Sequence, residues 1–136
     1  MKNAFLHGNL TAEVYMKQPL GFVHSVFPRH ICKLKRAIYG LKQAPRAWVH
    51  RFNSFLLSHG FVCSHADPSI FVARTDSHIL VLLLYVDDIV LTSNSEAMLC
   101  KFITLLSTQF VMKDLGDLYY FLGIQVVRSP SGLFLT

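Results

Sequence analysis

The stretch Ile79–Thr92, ILVLLLYVDDIVLT, decides the reading of this chain. Eight apolar residues, Ile79 to Val86, run into two adjacent aspartates, Asp87 and Asp88. Four more strand-forming residues, Ile89 to Thr92, follow. A buried unpaired carboxylate is costly, and two side by side repel each other. Either something compensates for the pair or it lies at an edge where the chain turns. Two apolar runs separated by two residues predict an antiparallel hairpin, strand Ile79–Val86 and strand Ile89–Thr92, with Asp87 and Asp88 as its tip. The unbroken apolarity of the first run predicts burial on both faces.

Outward from the hairpin, "SIFVART" (Ser69–Thr75) reads as a preceding strand, with a turn at Asp76–His78. The segment Ser93–Gln109 reads as a helix. Ser93 and Glu96 would form a capping box at its start, and Leu99, Phe102, Ile103, Leu106 and Phe110 its apolar face. An earlier helix opens near Pro45, which suits a first turn. It carries Trp48, Phe52, Phe55 and Leu56 at helical spacing with His59 on the same stripe, and Gly60 ends it. That stripe reads as core packing rather than a cofactor site.

The first third is less regular. "AEVYMKQP" (Ala12–Pro19) alternates as a strand would, and "HICKLKRAIYGL" (His30–Leu41) reads as a short strand with a turn near Gly40. "LYYFLGIQVVR" (Leu118–Arg128) is a further strand region, and "SPSG" turns toward "LFLT". The class is α+β: one domain over residues 1–136, with a small, mostly antiparallel sheet and helices on one face.

Composition narrows the function. The chain has 136 residues, 52% of them hydrophobic and 15% charged, with a mean hydropathy of +0.40. That excludes a disordered tail and hints at a face meant for other parts of a larger protein. Asp87 ends the longest apolar run far short of the roughly 20 residues a spanning helix needs. His7 interrupts the apolar start, which lacks the core of a secretory signal. Three cysteines, Cys32, Cys63 and Cys100, are an odd set without C-x-x-C, so a reducing, intracellular compartment is the default expectation. His30/Cys32 and Cys63/His65 are spaced too tightly for an ordinary zinc site.

The net charge is +5, unevenly spread. From Val14 to Ala66 there is no acid and there are eight bases: Lys17, Arg29, Lys33, Lys35, Arg36, Lys42, Arg46 and Arg51. The remainder is net −3. A basic half of this kind fits a polyanion such as nucleic acid, and equally a solvated basic face.

Asp-Asp is a poor choice for a purely structural tight turn, which favours Gly or Asn. A hard divalent cation explains the pair better. Mg²⁺ takes oxygen ligands, commonly one or two carboxylates together with substrate phosphates. Beside a basic half, this suggests metal-assisted phosphoryl transfer on nucleic acid.

"YVDD" (Tyr85–Asp88) resembles the Y-x-D-D motif of reverse transcriptases. With "KNAFLHGNL", "EVYMKQPLGF", "KLKRAIYGLKQAPRAW", "DPSIF", "LLLYVDDIVLT" and "MKDLGDLYYFLGIQV" in order, the whole chain resembles the reverse transcriptase of copia-type LTR retrotransposons, part of a Pol polyprotein. The resemblance implies a polymerase palm with part of the fingers. It implies two Mg²⁺ ions, a template-primer of RNA or DNA, dNTP as substrate and no membrane. For the intact family it implies cytoplasmic particles.

By position it implies that Asp87 and Asp88 are catalytic metal ligands. Gln43 would help hold the incoming nucleotide. Phe5 would lie beneath the deoxyribose and exclude a 2′-hydroxyl. The backbone of Asn3 and Ala4 would run along the triphosphate, and Lys113 would lie near the departing pyrophosphate. Leu122 and Gly123, in "YFLG", would grip the primer end. Lys42, Arg46 and Arg51 would contact nucleic-acid backbone.

The family's first motif reads D-V-K-N-A-F-L, and this sequence begins M-K-N-A-F-L. The third metal carboxylate would sit immediately before Met1. The expectation is a fragment of a polyprotein, inactive alone. A second reading is a non-catalytic relic that binds nucleic acid or a partner, or has no function. A two-aspartate phosphatase is a third, disfavoured because no further Asp lies near the pair.

Overall fold

Two helices lie against one face of a four-stranded antiparallel sheet, in a computed structural model that describes residues 4–136. A 3₁₀ turn, Ala4–His7, comes first. Strands β1 (Tyr15–Lys17) and β2 (Ile31–Lys33) form a small ribbon, and helix α1 spans Ala44–Ser58. Strands β3 (Val62–Cys63), β4 (Ile70–Arg74), β5 (Ile79–Tyr85) and β6 (Asp88–Ser93) then form the main sheet. Helix α2 (Glu96–Gln109) follows, and β7 (Tyr120–Phe121), β8 (Ile124–Ser129) and β9 (Gly132–Leu135) form a final meander.

Period-two alternation builds the core. Phe71 and Ala73 of β4 and Leu80, Leu82 and Leu84 of β5 point to one side. There they meet Trp48, Phe52 and Leu56 of α1 and Phe102 and Leu106 of α2. Pro45 stands in the first turn of α1, and Gly60 follows its end at φ +82°, a left-handed conformation that glycine adopts without strain.

The expectation that β5 is buried on both faces is corrected. Ile79, Val81 and Leu83 on its second face are only half-buried, because both helices occupy the other side. The region Leu118–Arg128 is also more than one strand. Leu122 (φ +51°) and Gly123 (φ +87°) turn β7 back on β8, the two positive φ values of a type I′ hairpin.

The second helix starts later than the Ser93–Glu96 pattern suggests. Ser95 is its N-cap, and its hydroxyl accepts from the Met98 amide at 3.3 Å. Ser93 is still in the sheet, paired with Leu80, and its hydroxyl donates to the Ile79 carbonyl at 2.8 Å. Next to it, Asn94 accepts from the Ile79 amide at 2.9 Å and donates to the Ser77 carbonyl at 3.2 Å. These side chains pin the open end of the β5–β6 hairpin and, with it, the register.

Apolar surface remains exposed. Leu20 and Phe22 are 96% and 82% accessible, yet their loop is ordered: the Gln18 side chain donates to the carbonyls of Phe27 and His30 and accepts from the His24 amide. Every residue of β9 is exposed. No described helix is long and apolar enough to cross a membrane.

Candidate catalytic hairpin

Strands β5 and β6 pair from Leu80↔Ser93 to Tyr85↔Asp88. The two-residue loop is therefore Val86-Asp87, one position earlier than the Asp87-Asp88 tip expected from sequence. Asp88 is the first residue of β6. Directly opposed residues share a face, so Asp88 lies with Tyr85 on the side away from the helices, while Leu84 and Ile89 face the core. Asp87 sits in the turn and is half-buried; Asp88 is exposed. Splitting the pair between turn and ladder presents both carboxylates at one sheet end from different backbone positions.

Val86 has φ +54°. For a β-branched residue the left-handed region costs about 1–2 kcal/mol, so something must hold it. The indole N–H of Trp48 donates to the Val86 carbonyl at 2.9 Å. Trp48 is fully buried, with its ring 5.0 Å from Phe52 and edge-on to Phe110 at 5.5 Å. On the opposite side of the sheet, the Tyr85 ring meets Phe121 of β7 edge-on at 6.2 Å. The β7–β8 hairpin with Leu122 and Gly123 is thereby brought to the aspartate hairpin.

The N-terminal segment joins the same neighbourhood through α1. Gly8 lies so close to it that an added Cβ would stand 2.9 Å from the Trp48 backbone nitrogen. The Ala4 side chain is buried in the core, and the Phe5 ring packs on Tyr39 at 4.7 Å. Gln43 is the exposed N-cap residue of α1, and its side chain makes no capping bond. Lys42 and Arg46 are exposed beside it, and Lys113 is exposed between α2 and β7. Asn3 lies outside the described residues.

Arg51 has an internal role that sequence did not suggest. Its guanidinium donates to the His7 carbonyl at 2.6 Å and lies 5.4 Å from the Phe110 ring centre. His7 is buried between Trp48 and Phe110. Burial first, then the positive charges of Arg51 and Arg36, push its imidazole below the usual histidine range. Lys33, also counted in the basic half, pairs with Glu13. Sequence reasoning missed His7 and Gly8. "FLHGNL" alone carried no sign that helix α1 would pack against them.

Among the described residues no group of three or more His, Cys, Asp or Glu side chains could hold a metal ion. The donor set of Asp87 and Asp88 still suits a hard cation in kind. Two carboxylates are what Mg²⁺ commonly takes from protein when phosphates complete its shell.

The described residues thus form an α+β domain with Asp87 and Asp88 on one hairpin, a second hairpin touching it through Phe121, and Lys42 and Arg46 at the start of α1. The family model described as "Reverse transcriptase (RNA-dependent DNA polymerase)" matches residues 1–136, and the chain belongs to that family. It is 49% identical over 136 residues to the Retrovirus-related Pol polyprotein from transposon RE2 of Arabidopsis thaliana, covering 100% of this chain and 9% of that protein. It is 41% identical over 132 residues to the corresponding polyprotein from transposon TNT 1-94 of Nicotiana tabacum, covering 96% and 10%. The chain thus spans about a tenth of these curated relatives' length. No solved structure matches.

Proposed function

We propose that residues 1–136 are one domain, the palm with part of the fingers, of a copia-type Pol polyprotein that copies RNA or DNA template into DNA. The observation that carries this reading is the Asp87–Asp88 hairpin, tied to α1 on one face and touched by β7 on the other. Asp87 and Asp88 would hold two Mg²⁺ ions. Bound there, the ions supply charge stabilisation to in-line attack by a primer 3′-hydroxyl on the α-phosphate of a dNTP.

The chain's own groups position the reactants. Gln43, Phe5 and the backbone of Asn3 and Ala4 receive the nucleotide, and the packing of Phe5 on Tyr39 supports a rigid wall beneath the sugar. Lys113 lies toward the pyrophosphate. Leu122 and Gly123 hold the primer end, which the Tyr85–Phe121 contact supports. Lys42 and Arg46 contact the phosphate backbone. Arg51 acts chiefly by fixing the N-terminal segment on α1.

Among the described residues no third acidic side chain joins Asp87 and Asp88 in a metal-holding group. Strand β6 is at the edge of the main sheet among the described strands, and a third carboxylate from the longer polyprotein would complete the metal site. Primer extension tests the reading. Residues 1–136 alone should not incorporate dNTP with Mg²⁺. Grafted in place of the matching segment of a DNA-synthesising relative, they should support template-directed synthesis. Robust extension by the isolated segment would refute the need for further ligands. A well-folded graft that binds template-primer but never extends it would refute the polymerase reading.

A further inference from the structure

We propose that Trp48 is a positioning residue for the metal-binding hairpin, its indole N–H fixing the peptide that aims Asp87; this rests on the metal-site reading above. The carbonyl that Trp48 engages is that of Val86. It belongs to the peptide bond that joins Val86 to Asp87. Holding that planar unit fixes ψ of Val86 and φ of Asp87 together. Those two angles set the direction in which the Asp87 carboxylate leaves the turn. Rotation of this peptide would swing Asp87 while Asp88 stays anchored in its ladder pair with Tyr85. The direction of the Asp87 carboxylate relative to Asp88 is thereby coupled to this hydrogen bond.

The tip needs such a hold. Val86 is in the left-handed region at φ +54°, where a β-branched side chain is strained. The holder is itself immobile. Trp48 is wholly inaccessible and is boxed by Phe52, Phe110 and His7. Gly8 also presses on its backbone. An indole has one donor and no acceptor, so swinging away from Val86 would leave a part-buried N–H without its partner, a penalised state. A rigid donor facing a strained acceptor at 2.9 Å is the arrangement expected of a support that locks a functional group's rotamer space from behind.

The sequence contains a single tryptophan, so replacing tryptophan throughout the chain changes this position alone. Benzothienylalanine keeps the bicyclic shape and puts sulfur where the N–H stood; 7-azatryptophan keeps the N–H. Mn²⁺ is the probe, and paramagnetic broadening of the amide signals of residues 86–89 is the readout. In the natural chain, broadening should be centred on these amides and be lost in Asp87→Asn. The sulfur analogue should need at least fivefold more Mn²⁺ for half-broadening while circular dichroism shows an unchanged fold. The aza analogue should restore the natural titration. Equal titrations for the natural and sulfur chains would overturn the role of the indole N–H. Broadening absent from the natural chain, or unaffected by Asp87→Asn, would instead overturn the metal-site reading beneath it.

Discussion

The guanidinium of Arg51 reaches back to the backbone carbonyl of His7, 2.6 Å away. The two residues are 44 positions apart in sequence. This bond clips the N-terminal segment onto helix α1, and the same guanidinium lies against the Phe110 ring at the end of α2. A charge-assisted bond of this kind contributes about 1.5–3 kcal/mol. Arg51→Met should therefore lower stability by about 1–3 kcal/mol in urea denaturation, whereas Arg46→Met, on the exposed side, should stay within about 0.5 kcal/mol. Equal midpoints for Arg51→Met and the natural chain would contradict the clip.

The same junction should respond to pH. His7 is held below the usual histidine range of about 6.5 by burial and by Arg51 and Arg36. The unfolded chain then binds a proton more readily than the folded one, so stability rises with pH across this window. The contribution is fully present above about pH 6.5 and is lost as pH falls through the depressed folded value. His7→Phe keeps an aromatic ring against Trp48 and Phe110 but cannot titrate. Its melting temperature should fall less between pH 7 and pH 5 than that of the natural chain. Parallel declines would show that His7 does not carry the effect.

Helix α2 gives a test of local structure. Ser95→Ala removes the hydroxyl that accepts from Met98 and should cost about 1 kcal/mol, as loss of an N-cap does. Thermal melts of the variant against the natural chain decide it. No change would mean that the cap bond contributes nothing.

Nucleic-acid binding should be weak, indifferent to sequence and steeply dependent on salt, because phosphate contacts release counterions. Replacing both Lys42 and Arg46 with Ala should weaken binding to all sequences alike and reduce the salt slope by about 2 in log–log form. Fluorescence anisotropy with short duplexes at several salt concentrations measures both. An unchanged slope would remove these two residues from the interface.

The sequence was informative where periodicity and burial coincide. The stripe of Trp48, Phe52 and Leu56 has one solution, and the structure has it, whereas the unbroken apolar run Ile79–Val86 did not tell which of its faces the helices would cover. Where several backbone registers satisfy the same pattern, the sequence did not choose. Loops of Val86-Asp87 or Asp87-Asp88 both turn Ile89 and Leu91 toward the core, so apolar patterning could not place the tip. The choice falls to contacts distant in sequence, Trp48 on Val86 at one end and Asn94 on Ile79 at the other. Ser93 misled for a similar reason. Its spacing to Glu96 fits a cap, but its pairing with Leu80 keeps it in the sheet. The family, by contrast, was legible because its motifs constrain residue identity rather than shape, and the family model matches residues 1–136.

Primer extension by the grafted polymerase with and without Asp87→Asn tests the metal role of the hairpin most directly. The substitution keeps size and hydrogen-bonding shape but removes the charge a divalent cation requires. Loss of a metal-positioning carboxylate should lower the rate about a thousandfold or more. Template-primer binding, measured in parallel, should stay within about twofold, because phosphate contacts made elsewhere dominate affinity. Retained Mg²⁺-dependent synthesis in Asp87→Asn, at a rate close to that of the natural residue, would contradict a catalytic metal site at the Asp87–Asp88 hairpin.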